Sequence, residues 1–357
     1  MAALLEYKCP CCGGAIEFNS STQNMKCPYC DTEFEVDAVK EYNSALQEDT
    51  GDQLNWESDN TEWAESEQRG IKVYTCNSCG GQIIADETTA ASACPYCDNP
   101  VVMTGQFGGG LRPDLVIPFK IDKRSAEEAL QQHLRGKFLL PSSFKTENRI
   151  EEIKGVYVPF WLFDCEADAH IRYKTTRVRT WSSGDYRYTE TSHFLVLRDG
   201  EIGFNKVPVD GSTKMPDDLS ESVEPYDYNA CKDFDTAYLA GFLADKYDVN
   251  AEQSCQRANQ RIRITTEAKI RETVVGYSSV IQESSNIRLR HGKVRYALLP
   301  VWILSTNYRG QIYRFAMNGQ TGKFVGNLPT DWGKFWGLFA GITAAVAGII
   351  FTLAWFF

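Results

Sequence analysis

Branched and aromatic residues recur along this chain in short runs with a period of two, and that pattern predicts a strand-rich protein. Polar and apolar residues alternate from Ile171 to Arg179. Asp185 to Leu197 follows after a Ser182-Ser183-Gly184 turn, which makes the pair a hairpin. Glu201 to Val207 reads as a further strand. Three runs carry one proline each: Val116 to Ile121, Tyr157 to Leu162 and Leu298 to Ile303. Proline has no amide proton to give a ladder, so each proline is placed at an edge or bulge. The likeness of the three runs points to two related halves. Gln311 to Met317 and Lys323 to Val325 flank Asn318-Gly319-Gln320-Thr321-Gly322, whose glycines suit the positive φ angles of a tight turn. Helical spacing is found in fewer places. Ser125 can cap a helix to about Arg135, with Glu127 and Glu128 in its first turn. Phe234, Ala237, Tyr238, Gly241 and Phe242 predict a helix over 234–246, and 251–275 reads as a longer polar one.

One segment departs from both periods. Phe335 to Phe357 holds 23 residues without a charge. At 1.5 Å per residue such a helix is about 34 Å long, enough to cross the ~30 Å hydrocarbon layer. Trp332 and Trp336 at one end, and Trp355, Phe356 and Phe357 at the other, suit the two interfaces. A helix apolar on every face fits a soluble core poorly. The expectation is a single-pass tail anchor in the cell membrane through 335–357. Lys323 and Lys334 precede the span and no positive charge follows it, which places the N-terminal bulk in the cytoplasm. Gly333, Gly337 and Gly341 are spaced by four, with Ala344 continuing the row, so helix–helix self-association is an expectation.

Candidate chemistry sits near the N-terminus. Cys9, Cys12, Cys27 and Cys30 form a C-x2-C-x14-C-x2-C pattern, and Cys76, Cys79, Cys94 and Cys97 repeat it 67 residues later. Tyr7 with Tyr74, Ile16 with Ile83 and Asp31 with Asp98 keep the same offset, so the unit is duplicated. Two cysteines two residues apart can turn both sulfurs to one point. Two such turns supply four thiolates in a tetrahedron, the closed arrangement of a structural zinc site. The reading is two structural Zn2+ ions in two zinc ribbons, with iron the less favoured metal. Disulfides are disfavoured, because no signal-peptide pattern precedes the cysteines and cytosolic thiols stay reduced. Cys11 is matched by Ser78 in the second copy and reads as a bystander; Cys165, Cys231 and Cys255 read as core thiols.

The net charge of −10 argues against a nonspecific nucleic-acid binder, which needs lysine and arginine to displace counterions. Nine acidic residues and no Lys or Arg lie between Glu41 and Glu67, which reads as a solvated linker; a docking motif built on Trp56 and Trp63 is the sharper alternative. Four closed ligands leave no open metal position for catalysis. His133, His170, His193 and His291 fall in no nucleophile or metal motif, and Asp164, Glu166 and Asp168 read as solvated charges sharing a strand face. Gly319 to Lys323 imitates a phosphate loop, but Met317 and Phe324 occupy the places where that loop needs Gly and Ser or Thr. The expectation is a protein that is not an enzyme.

The domains expected are zinc ribbon 1 at 1–37, an acidic linker at 38–70, zinc ribbon 2 at 71–104, a strand-rich α+β domain at 105–330 and the C-terminal transmembrane anchor at 331–357. The knuckles, Val156 to Trp161, and Leu299 to Trp302 leading into Asn318 to Lys323 resemble a family of bacterial membrane proteins described as TFIIB-type zinc-ribbon-containing. Its members are often encoded beside phage-shock-protein-A-like and SPFH-domain (flotillin-like) proteins. The resemblance implies a membrane-anchored adaptor that binds such protein partners in envelope stress. Nucleic-acid binding is the alternative.

Overall fold

The structure, a computed structural model, describes residues 7, 9, 15–40, 54, 56–58, 62–64, 67–68, 70–86, 89, 91–106, 110–142, 144 and 152–356. The strands in order are β1 (Glu17–Asn19), β2 (Asn24–Lys26), β3 (Glu33–Phe34), β4 (Glu57–Ser58), β5 (Ile71–Cys76), β6 (Gln82–Asp86), β7 (Val101–Gln106), β8 (Leu115–Val116), β9 (Lys154–Ser183), β10 (Tyr186–Asp210), β11 (Lys232–Asp233), β12 (Leu243–Asp245), β13 (Ser279–Tyr308), β14 (Gln311–Asn318) and β15 (Phe324–Gly326). The α-helices include Lys123–Leu134, Asp217–Ser222, Ala251–Glu272 and Trp332–Phe356.

Strand-rich architecture and a C-terminal apolar helix are as expected. The chain divides into two compact units, one of Met1–Glu57, Phe163–Val207 and Cys255–Lys293, the other of Ser58–Leu162, Pro208–Ser254 and Val294–Phe357. The reason lies in strand length. β9 and β13 each run 30 residues and β10 runs 25, several times the usual five or six, so a single strand serves two cores.

In the first unit, β1, β2 and β3 form a small antiparallel sheet over a core of Cys9, Ile16, Met25, Cys27 and Val39. A separate core gathers Cys165, Ala167, Ala169, Ile171 and Tyr173 from alternate positions of β9, with Ile262 and Ile270 of the helix Ala251–Glu272 and Ile287 and Leu289 of β13. Trp56 packs on that core, edge-on to Phe163 at 4.9 Å. A Cβ on Gly292 would come within 2.9 Å of both Leu54 and Trp56, so the backbone there is in close contact with them. Part of the segment expected as a solvated linker is thus packed, because its few apolar residues find apolar surface despite the surrounding charge.

The second unit is built on a mixed sheet in the order β11-β8-β13-β9-β12-β6-β5-β7, with β14 and β15 continuing from β13. The pairs β8–β13 and β12–β9 are parallel, and the other registered pairs are antiparallel. Val156, Val158, Phe160 and Leu162 of β9 and Leu299, Val301 and Ile303 of β13 share one core with Tyr74, Cys76, Ile83, Cys94 and Tyr96. The segment expected as the second ribbon contributes Cys76, Ile83, Cys94 and Tyr96 to this unit's main core. On the opposite side, Leu130 and Leu134 of the helix Lys123–Leu134 pack with Trp302, Leu304, Phe315 and Met317. Trp63 is buried, edge-on to Phe234 at 5.6 Å.

Several local expectations shift. Residues 234–246 are not an α-helix: a 3-10 turn at Thr236–Leu239 leads into β12, whose backbone is held between β6 and β9. Asp122, not Ser125, caps the helix Lys123–Leu134, its carboxylate accepting from Ser125 N at 2.8 Å. Of the run from Val116 to Ile121 only Val116 is in a strand, and Glu201 to Val207 is part of β10. In the β14–β15 turn only Gly322 has positive φ, +79°. Gly319 is needed for closeness instead, since a Cβ there would lie 2.6 Å from the Phe119 ring.

Candidate metal centres

β5 delivers Cys76 into a turn closed by Gly80 N donating to Cys76 O at 2.8 Å and Cys76 N donating to Gly81 O at 3.0 Å, with Gly80 at φ +72°. The Cys94 turn has the same design: Cys94 N donates to Asn99 O at 2.8 Å, Asp98 N donates to Cys94 O at 3.0 Å, and Asp98 has φ +59°. These two turns bring the sulfurs of Cys76, Cys79, Cys94 and Cys97 within 4.8 Å of one another. The Cys76–Cys97 and Cys79–Cys94 separations are 3.5 and 3.7 Å. A disulfide needs about 2.05 Å, whereas sulfurs at tetrahedral vertices, each about 2.3 Å from a central ion, lie about 3.8 Å apart. The sulfurs are at the spacing of metal ligands.

The first cluster repeats the geometry. Cys27 N donates to Thr32 O at 3.0 Å, Asp31 N donates to Cys27 O at 3.0 Å, and Asp31 has φ +56°. Cys9, Cys27 and Cys30 meet within the same 4.8 Å limit, with Cys9 and Cys30 at 3.6 Å. Cys12, the expected fourth ligand, and Cys11 lie outside the described residues. Two N-terminal cysteine clusters that could hold metal ions are thus present, at 9–30 and 76–97.

Their surroundings differ. Burial pushes the Cys79 and Cys94 thiols up, since a thiolate there is stripped of water. Burial also raises Cys97, but Asn99 and the neighbouring sulfurs outweigh it and bring that thiol down to about 7. In the first cluster the Thr32 hydroxyl and backbone draw exposed Cys30 down to about 6. A cation among the sulfurs would favour the thiolate form throughout.

The sequence reading missed the groups that hold the second cluster in place. Lys154 Nζ donates to Ala93 O at 3.2 Å and pairs with Asp98 at 3.3 Å. The Ser305 hydroxyl lies 2.8 Å from Pro95 O, and Arg314 Nε donates to Tyr96 O at 2.8 Å. Tyr96 Oη donates to Asp245 at 2.9 Å, and the same carboxylate oxygen accepts from Ser212 at 2.5 Å. Asp245 is buried, and burial pushes its carboxyl up to about 7 against the pull of those two hydrogen bonds. The signal available in the sequence was the tyrosine repeated in both Cys-Pro-Tyr-Cys knuckles.

The other candidates engage in ordinary pairs. Asp164, Glu166 and Asp168 do share a face of β9, where they accept from Lys206 N at 2.5 Å, His291 at 2.7 Å and Arg290 at 2.6 Å. His170 sits 2.8 Å from Asp199, and His133 lies against the Phe324 ring. Cys165 is a core thiol pushed up to about 11 by burial.

At the other end of the chain, Trp332–Leu353 has a mean hydropathy of 1.9 and no buried residue, so it is long and apolar enough to span a bilayer. No protein-family profile and no solved structure matches the chain. A Bacillus subtilis (strain 168) protein described as "Uncharacterized protein YdjG" is 37% identical over 339 residues, covering 95% of this chain and 94% of that protein. At that identity over nearly the whole of both chains, the chain belongs to the same family as YdjG.

Proposed function

We propose that the chain is a membrane-anchored adaptor whose cysteine clusters are zinc ribbons. Each ribbon takes one structural Zn2+, through Cys9, Cys12, Cys27 and Cys30 in one case and Cys76, Cys79, Cys94 and Cys97 in the other. Zinc suits a closed set of four sulfurs because it is redox-inert and accepts tetrahedral thiolate ligation. The helix Trp332–Phe356 crosses the bilayer, and the remainder faces the cytoplasm, where thiols stay reduced. The observation that carries the reading is the combination of two cysteine clusters, four sulfurs in one and three described in the other, with a fully exposed apolar helix. A closed cluster builds a surface, and the helix holds that surface at a membrane. Following the TFIIB-type resemblance, the partners are proteins of the phage-shock-protein-A-like or SPFH class, met in envelope stress. Gly333, Gly337 and Gly341 allow a second helix to approach within the bilayer.

Metal analysis of the purified chain together with crosslinking pull-down from native membranes tests this. Two zinc atoms per chain and a reproducible set of captured proteins are expected. Fewer than two metals, or capture no different from background, refutes it.

A second reading, nucleic-acid binding, draws on the hairpin of β9 and β10. Residues 177–191 are exposed throughout, Trp181 stacks on Tyr188 with centroids at 5.6 Å, and Arg179 lies over Trp181. Bases stack on such rings. Here the Trp181 ring already has both Tyr188 and Arg179 against it, so the first reading is preferred. A mobility shift that appears at low salt and weakens steeply with added salt would reverse that preference.

A further inference from the structure

The duplicated knuckles have opposite fates. Cys94-Pro95-Tyr96-Cys97 and Cys27-Pro28-Tyr29-Cys30 share sequence, backbone hydrogen bonds and a left-handed aspartate immediately after. Tyr96 is 2% exposed and Tyr29 is 75% exposed; Pro95 is buried and Pro28 is exposed. Tyr29 does not belong to the small core of its own ribbon, which is built from Cys9, Ile16, Met25, Cys27 and Val39. The second copy therefore displays what such a knuckle does when engaged. Its tyrosine enters an apolar socket, its hydroxyl donates to a buried carboxylate, and its peptide carbonyl accepts from an arginine.

We infer that the first knuckle docks Tyr29 into a partner protein offering the same chemistry: an apolar socket with a carboxylate at its floor and a guanidinium at its rim. This inference rests on the adaptor reading and names the surface through which adaptation occurs. The partner is a different protein, because the one socket of this chemistry among the described residues, at Asp245 and Arg314, is filled by Tyr96 of the same chain. Knuckle geometry explains why the ring projects. The two cysteines turn inward to the sulfur cluster, and the residue between Pro and the second Cys is left pointing away from it. Tyrosine and arginine are also the residues that carry most energy in protein interfaces.

The test uses the full-length chain in its native membrane, with p-benzoylphenylalanine placed at position 29 or, as the engaged control, at position 96. Irradiation at 29 is expected to give one defined protein adduct, mapped to a segment bearing an Asp or Glu; irradiation at 96 gives an intrachain product. Tyr29→Phe, which removes only the hydroxyl, is expected to lower capture of that partner by roughly 10-fold or more, the scale of a hydrogen bond to a charged group. Both metals are expected to remain bound in that variant. Adducts to lipid, to another copy of this chain or to many proteins overturn the inference, as does undiminished capture by Tyr29→Phe and Tyr29→Ala. If the unsubstituted chain captures partners and the Tyr29 variants capture them equally, the inference fails and the adaptor reading stands. If the unsubstituted chain captures nothing, both fail.

Discussion

Replacing Asp245 by Asn changes a buried charge and little else. Asp245 Oδ2 accepts from Tyr96 and Ser212, and Oδ1 has no hydrogen-bond partner. Burial, with Asp248 adding repulsion, pushes the carboxyl up to about 7 although Ser212 and Tyr96 favour its charged form. An unfolded Asp ionises near 3.9. Below about pH 4 both states are protonated and there is no penalty. Between about 4 and 7 only the unfolded chain gives up the proton, so stability falls as pH rises, and above about 7 it levels off. The accumulated cost is about 4 kcal/mol at pH 8 and about 1.5 kcal/mol at pH 5. Asparagine keeps the acceptor for Tyr96 and Ser212 and abolishes the ionisation. Its NH2 falls where Oδ1 lacks a partner, which returns about 1–3 kcal/mol. Asp245→Asn should therefore be more stable than the parent by about 1–3 kcal/mol at pH 8. That is roughly 3–10 °C in melting temperature for a unit of about 200 residues. The advantage should shrink to nothing near pH 5. The assay is thermal unfolding of both proteins in detergent across pH 5–8, with metal content measured at each pH. A difference that stays constant across that range, or a variant less stable throughout, refutes the account of a carboxyl held neutral.

Other outcomes follow from the same geometry. A strong chelator should strip metal in two phases, the cluster with exposed Cys30 emptying before the one with buried Cys76 and Cys94; Cys30→Ser should leave only the slow phase and Cys97→Ser only the fast one, and a single phase in the parent, or two phases in either variant, contradicts this. Gly155→Ala places a Cβ 2.6 Å from the Phe242 ring and 3.2 Å from Trp302, and should lower stability by about 1–3 kcal/mol in a denaturant titration. Deleting residues 332–357 should move the chain from the membrane pellet to the supernatant on ultracentrifugation; retention in the pellet would refute the helix as the anchor.

Some of this protein was determined by the sequence alone. Cysteine spacing, its repetition after 67 residues and the uncharged run after Lys334 were legible because each is a local pattern. A knuckle closes within six residues, and a hydrophobic span is defined by its own composition. The β9–β10 hairpin and the β14–β15 turn were legible for the same reason. What the sequence could not supply was partnership over distance. Nothing near Tyr96 announces Asp245, 149 residues away, or Arg314, 218 away. Residues 234–246 carry helical spacing, yet Leu243–Asp245 within them become a strand because β6 and β9 flank them and supply the backbone hydrogen bonds. Tertiary structure also decided that two nearly identical knuckles differ. The free energy of burying a tyrosine depends on whether a socket surrounds it; segments far apart in the chain assemble that socket around Tyr96, and the described residues leave Tyr29 75% exposed.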